Sequence, residues 1–236
     1  MKIPLVIAHR GDSSNSLENS LEAIRRALSY PVDMIEIDIR RSRDNVLYVM
    51  HDRVTFRTAE HSIDIERAAS EEISRVKLKN GEDIPTLTDV IKLVSGKAGL
   101  NLEIKSEGAG LATAEYLASS DYHGYVLVSS FHEDEVRSVR KMMPRVPTSL
   151  IFDVFSVLDV PSYADEGFKV ISLRKNTVSV DLIDACHERG IEVYVWTVDD
   201  EEEMRRLISW GVDGIYSNRP GVLKETVEKI RSASLQ

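Results

Sequence analysis

The feature that most constrains this chain is a regular alternation of short apolar runs with longer amphipathic ones, sustained almost from end to end. IPLVIAH (3–9), DMIEIDIRR (33–41), GLNLEIK (99–105), YVLVSSF (125–131), PTSLIF (147–152), KVISL (169–173), IEVYVWTV (191–198) and VDGIYS (212–217) read as strands. NSLEAIRRALS (19–29), LTDVIKLVS (87–95), LATAEYLASS (111–120), EDEVRSVRKMM (133–143), a short stretch near 159–167, VDLIDACHERG (180–190), DEEEMRRLISWG (200–211) and a last segment at 220–232 read as helices. Asn19 is the expected N-cap of the first helix, with Glu22 three residues on as in a capping box. Gly190 is placed to end the helix before it. Such alternation predicts a parallel sheet with helices outside it.

Eight strand–helix units in 236 residues fit a (β/α)8 TIM barrel better than an open doubly wound sheet. A doubly wound sheet usually shows a phosphate-binding G-x-G-x-x-G after a strand, and this chain has none. The expectation is a single domain over 1–236, with VLYVMH (46–51) as an extra strand. Residues 52–85 break the rhythm: they are charged and only loosely periodic. They read as an insertion on one loop near the active-site face, with a lid, a homodimer contact or both left open, since long loops tend to carry function.

Composition narrows the partners. The net charge is −9, without the basic stripe that nucleic-acid binding demands. An acidic protein that handles an anion must do so with a few local cations. Cys186 is the lone cysteine, so no internal disulfide forms and nothing points to an oxidising compartment. No apolar run approaches the roughly 20 residues of a membrane span, and no leader pattern follows Met1. The expectation is a soluble cytoplasmic protein.

Successive side chains of a strand face opposite ways. In IEIDI, Ile35, Ile37 and Ile39 share one face, and Glu36 and Asp38 the other. In NLEIK, Glu103 and Lys105 stand opposite Leu102 and Ile104. Alone, an E-x-D alternation also describes the wet face of a half-exposed strand. Two such strands in a parallel barrel instead turn three carboxylates inward, which is costly unless they are neutralised. A hard divalent cation, Mg²⁺ or Ca²⁺, suits an all-oxygen ligand set. His9 and His51 each end a strand-like run, the end where barrels keep their active sites. A histidine pair beside carboxylates suits proton transfer near neutral pH. Arg10 and Lys105 are the matching cations for an anionic substrate. His61, His123 and His132 carry no such context, and His187, in a helix, is expected to face solvent.

The motifs AHRGD, ENS, IEIDIRRSRDN, VMHD, IPTL, NLEIK, SSF, WTVDD and GVDGIYSNRP occur in an order that resembles the glycerophosphodiester phosphodiesterase family, from about residue 6 to 220. The resemblance implies a metal-dependent enzyme that hydrolyses a glycerophosphodiester, a small-molecule substrate, to sn-glycerol 3-phosphate and an alcohol. It implies His9 as base, His51 as acid, Glu36, Asp38 and Glu103 as metal ligands, and Arg10 and Lys105 as phosphate contacts. Trp196 resembles an apolar wall beside the substrate, and Glu18 and Asn19 a brace for the first loop. Leu17, Ser20 and Asn45 stand where the family more often has proline, threonine and glycine. Asp199 and Asn218 look exchanged for the usual Asn and Asp, which bears on substrate preference. Water and a hydroxyl of the substrate glycerol are both open as nucleophile. The alternatives are a lysophospholipase D or sphingomyelinase-D-like activity on a larger lipid phosphodiester, and a non-catalytic barrel that binds a phosphorylated ligand.

Overall fold

The computed structural model describes residues 2–120 and 122–233. Eight parallel strands, β1 (Leu5–His9), β2 (Met34–Arg41), β4 (Gly99–Ile104), β5 (Val126–Ser130), β6 (Thr148–Phe152), β7 (Val170–Arg174), β8 (Glu192–Trp196) and β9 (Gly214–Ser217), pair in chain order, and β1 joins both β2 and β9. The sheet therefore closes into the expected TIM barrel. The extra run is β3 (Leu47–Val49), antiparallel to β2 at its C-terminal end.

Alternation sorts the side chains as the sequence predicts. Ile35, Ile37 and Ile39 are fully buried against the surrounding helices, among them α1 (Leu21–Ala27) and α3 (Leu87–Val94). On the inner face, Ile7, Met34, Leu127, Val170, Tyr194 and Tyr216 form an apolar plug. Above it lies a polar layer in which Asn101 donates to the Tyr216 hydroxyl at 3.0 Å and accepts from Ser129 at the same distance. Above that layer are the carboxylates. A parallel barrel strand is covered on both sides, so polar residues on its inner face signal a site rather than a wet surface.

Residues 52–85 have a small core of their own. Ala59, Ile65, Ala68, Ile73, Val76, Leu78 and Ile84 pack on Tyr48 and Met50. A 3₁₀ turn at Thr55–Arg57 and the one-turn α2 (Ser70–Ile73) supply its regular structure. The turn is held by Thr55, whose hydroxyl donates to the His61 carbonyl at 2.8 Å and accepts the Ile63 N–H at 3.1 Å. Elements this short leave no periodicity to read.

Two local expectations are corrected. The cap of α1 is Ser20, whose hydroxyl accepts the Ala23 N–H at 3.0 Å. Asn19 is instead left-handed, with φ 59°, and its amide turns into the barrel. His187, at the end of α7 (Val180–His187), is not simply solvated: its Nε2 lies 2.8 Å from a buried Asp213 carboxylate oxygen that also accepts the Val193 N–H. Asn45 adopts φ 67°, the left-handed turn that asparagine tolerates in place of glycine. Among the described residues no helix is long and apolar enough to cross a membrane.

Candidate active site

The expected residues converge at the C-terminal rim. Strand register places His9 beside Glu36, and Asp38 beside Glu103. His9, Arg10, Glu36, His51, Glu103 and Lys105 all line one cavity of about 190 Å³. Asp38, in register with Glu103, is fully buried.

One oxygen from each of Glu36, Asp38 and Glu103 can be chosen so that all three lie within 4.8 Å of one another. Burial, together with Asp38, raises Glu36 well above the usual carboxylate range, and the same causes hold Glu103 at about 7. Burial would raise Asp38 too, but Arg10, Lys105 and His51 outweigh it and keep Asp38 low. Glu36 Oε1 and Asp38 Oδ1 are buried without a hydrogen-bond partner among the described residues. Unpaired buried carboxylate oxygens are costly, and a hard cation with oxygen ligands removes that cost. The donor set therefore fits Mg²⁺ or Ca²⁺.

The loop after β1 carries the first cations. Arg10 is left-handed at φ 57°, and its N–H donates to Glu36 Oε2 at 2.9 Å. Gly11 follows at φ 82°, and a Cβ there would lie 2.6 Å from the Ala23 carbonyl carbon, so glycine is required. The Arg10 guanidinium donates to Glu18 Oε1 at 2.9 Å, and its Nε lies 3.1 Å from Asp38 Oδ2. Asn19 donates to the same Asp38 oxygen at 2.7 Å. Lys105 Nζ donates to Glu103 Oε1 at 2.6 Å and stands 3.5 Å from Asp38 Oδ1.

The two histidines sit in different surroundings. His9 Nδ1 lies 2.7 Å from Asn218 Oδ1. Asn218 gives its Nδ2–H to Asp199 Oδ2 at 2.7 Å, and its backbone N–H to Asp199 Oδ1 at the same distance. A carboxylate accepts and does not donate, so Asp199 fixes which way the Asn218 amide points. The Asn218 oxygen must then face His9, which requires a proton on Nδ1 and leaves the Nε2 lone pair free. Burial, reinforced by Arg10, pushes His9 down to about 4, so the ring is neutral at pH 7. His51 is more open, and its Nδ1 is held 2.7 Å from Asp52 Oδ1. Burial, with Arg10 and Lys105, lowers His51, while Asp38 and Asp52 oppose the shift. Opposite these groups, the Trp196 and Phe131 rings meet edge-on at 5.6 Å and give the cavity an apolar side.

All eight residues singled out in the sequence are thus gathered, and Glu18 and Asn19 do brace the first loop. Three contributors carried no assigned role. Asp199 and Asn218 stood out only as departures from a pattern, because a contact across some 200 residues has no local signature. Phe131 closes the SSF motif but looks like an ordinary strand end.

Known proteins resemble this chain over nearly its whole length. A family model described as the glycerophosphoryl diester phosphodiesterase family matches residues 9–222. The glycerophosphodiester phosphodiesterase of Caldanaerobacter subterraneus subsp. tengcongensis is 33% identical over 240 residues, covering 95% of this chain and 98% of that one. Among solved structures, an Oleispira antarctica phosphodiesterase in complex with the product sn-glycerol-3-phosphate superposes with a TM-score of 0.89 at 24% identity, covering 96% of this chain and 97% of its own. A glycerophosphodiester phosphodiesterase from Thermotoga maritima matches with a TM-score of 0.80 at 25% identity, over 95% and 98% of the two chains.

Proposed function

This chain belongs to the glycerophosphoryl diester phosphodiesterase family and is a glycerophosphodiester phosphodiesterase; we propose that it cleaves its substrate to sn-glycerol 3-phosphate and an alcohol by acid–base catalysis between His9 and His51. The observation that carries this reading is the asymmetry of the two rings. Asn218 engages His9 through Nδ1 and leaves Nε2 free, 3.9 Å from Glu36 Oε2. His51 keeps a carboxylate on Nδ1 that stabilises its protonated form.

Arg10 and Lys105 draw the phosphodiester into an otherwise acidic cavity and balance charge on its oxygens. Glu36, Asp38 and Glu103 would hold a divalent cation, Mg²⁺ or Ca²⁺, which supplies Lewis-acid neutralisation of the phosphate. His9 Nε2 takes a proton from the attacking oxygen, either water directly or the neighbouring hydroxyl of the substrate glycerol, the second route giving a cyclic phosphate that water then opens to sn-glycerol 3-phosphate. The entering negative charge favours protonated His51, whose Nε2 proton then goes to the departing alkoxide. Trp196 and Phe131 cover the carbon skeleton and exclude water from one side.

The test is turnover of glycerophosphocholine by single variants. General acid–base groups contribute roughly 10²–10⁴-fold, and His9→Ala and His51→Ala should each lose that much. Activity within a factor of three of wild type in either variant would remove that histidine from the mechanism.

One feature favours a larger substrate as a second reading. Phe131 and Ile151 line both the catalytic cavity and an adjoining groove of about 450 Å³, whose other walls include Leu150, Phe152, Phe155 and the exposed Leu158. An alkyl or acyl group on the substrate could lie there, as lysophospholipase D activity requires. A higher kcat/KM on lysophosphatidylcholine than on glycerophosphocholine would support this reading, and the reverse order would reject it.

A further inference from the structure

Arg57 lies outside the catalytic cavity, in the 3₁₀ turn of the 52–85 segment, with its side chain about half exposed. Its guanidinium nonetheless grips two carboxylates at once. Nη1 and Nη2 donate to the two oxygens of Glu18 at 2.6 and 2.7 Å, and Nε donates to Asp52 Oδ2 at 2.8 Å. The other oxygen of Asp52 holds His51 Nδ1 at 2.7 Å. Glu18 Oε1 also receives Arg10 at 2.9 Å. One arginine thus stands behind both the proposed acid and one of the proposed phosphate contacts.

The backbone that carries it is secured from several sides. Thr55, two residues before, is fully buried and bonds across the turn. Lys79 Nζ donates to the Arg57 carbonyl at 2.8 Å. A planar guanidinium with a fixed fork can bridge two carboxylates, where a lysine's point charge cannot reproduce both geometries. An ion pair this exposed adds little to stability, so its geometry matters more than its energy.

We propose that Arg57 is a positioning residue for the phosphodiesterase reaction, holding Asp52 behind His51 and Glu18 behind Arg10, and so coupling the inserted segment to both sides of the scissile phosphate. The proposal rests on the assignment of His51 as general acid, and its test separates the two. Without Arg57 the Asp52 carboxylate is free to rotate, and His51 loses a fixed orientation. Misplacement of a reacting group by about 1 Å costs on the order of 10²-fold.

The experiment compares wild type, Arg57→Ala, Arg57→Lys, His51→Ala and the Arg57→Ala/His51→Ala double variant, each with saturating Mg²⁺. The substrates are glycerophosphocholine, whose alkoxide must be protonated as it leaves, and glycerol phosphate 4-nitrophenyl ester, whose phenolate needs no proton. Arg57→Ala is expected to lower kcat on glycerophosphocholine about 10–100-fold, with a several-fold smaller loss on the nitrophenyl ester. Arg57→Lys should fall between Arg57→Ala and wild type, and it serves as the folded variant if Arg57→Ala melts early. In the His51→Ala background the same Arg57 change should cost several-fold less than in wild type, because half of what it positions is gone. Arg67→Ala, which removes an exposed arginine of the same segment, is the control and should stay within twofold. Equal losses with and without His51, or an Arg57→Ala rate within twofold of wild type, would overturn the proposal. If His51→Ala itself shows no leaving-group dependence, the acid assignment fails, and the double-variant comparison still decides Arg57.

Discussion

Replacing Asn19 tests how the first loop supports the carboxylate cluster. Asn19 is buried, donates to Asp38 Oδ2 at 2.7 Å, and accepts the Asp38 N–H at 3.3 Å. It does so from φ 59°, where a residue with a Cβ is strained. Asn19→Ala loses a bond to a charged acceptor, worth about 1.5–3 kcal/mol, and a longer neutral one worth about 0.5 kcal/mol. Alanine in the left-handed region adds about 1 kcal/mol. The sum is about 3–5 kcal/mol, and about 2–4 °C of Tm per kcal/mol in a domain of this size gives a fall of roughly 6–20 °C. Asn19→Gly loses the same bonds without the strain, so its Tm should lie about 2–4 °C above that of Asn19→Ala. Both variants should bind Mg²⁺ about 10–100-fold more weakly, because Asp38 has lost the group that orients it. Calorimetric melting of the metal-free proteins and isothermal titration with Mg²⁺ give the two readouts. Variants that melt within 2 °C of wild type and bind the cation equally well would show that Asn19 does not hold Asp38 in place.

Other expectations follow from the same contacts. Asn218→Ala frees His9 to rotate and should lower kcat about 10–100-fold with KM within threefold; a change confined to KM would mean that Asn218 contacts substrate instead. Glu36 and Glu103 are both raised, Glu103 to about 7, so below that pH the metal-free site holds protons that a cation must displace. Titrating Mg²⁺ into the protein at pH 6 in buffers of different ionisation enthalpy should show proton release that shrinks as the pH climbs past 7, and no release at pH 6 would contradict the shifts. Cys186 is fully buried, and burial raises its thiol to about 11, so the native protein should resist a thiol reagent that reacts at once after denaturation. Rapid native labelling would show that α7 opens more readily than its packing indicates.

The barrel was legible because its evidence is local. A strand covered on both sides reads as a continuous apolar run, and Glu36, Asp38, Glu103 and Lys105 interrupted that run on the same face of two strands. His9 and His51 were placed by the rule that barrel chemistry gathers at strand C-termini, without any knowledge of what they touch. What the sequence concealed was reach. Asn218 meets His9 across 209 positions, and Arg57 meets Glu18 across 39. Asn19 shows the opposite failure. Asn followed by Glu three residues on satisfies a capping pattern, yet Ser20 does the capping, because the amide gains more by bonding the buried Asp38 than by closing a helix end at the surface. The 52–85 segment looked irregular because its order comes from a nine-residue apolar cluster, spread over short turns, rather than from any repeating pattern.

Three inward carboxylates should make this acidic cavity a cation-dependent site for a glycerophosphodiester. The most direct measurement is the initial rate of sn-glycerol 3-phosphate release from glycerophosphocholine, for wild type and Glu36→Gln, after EDTA treatment and again after Mg²⁺ or Ca²⁺ is restored. Wild type should lose at least 10²-fold in EDTA, on the scale of a phosphate-neutralising charge, and recover with one of the two cations, while Glu36→Gln stays low throughout. Undiminished release in EDTA, or a Glu36→Gln rate equal to wild type, would contradict that expectation.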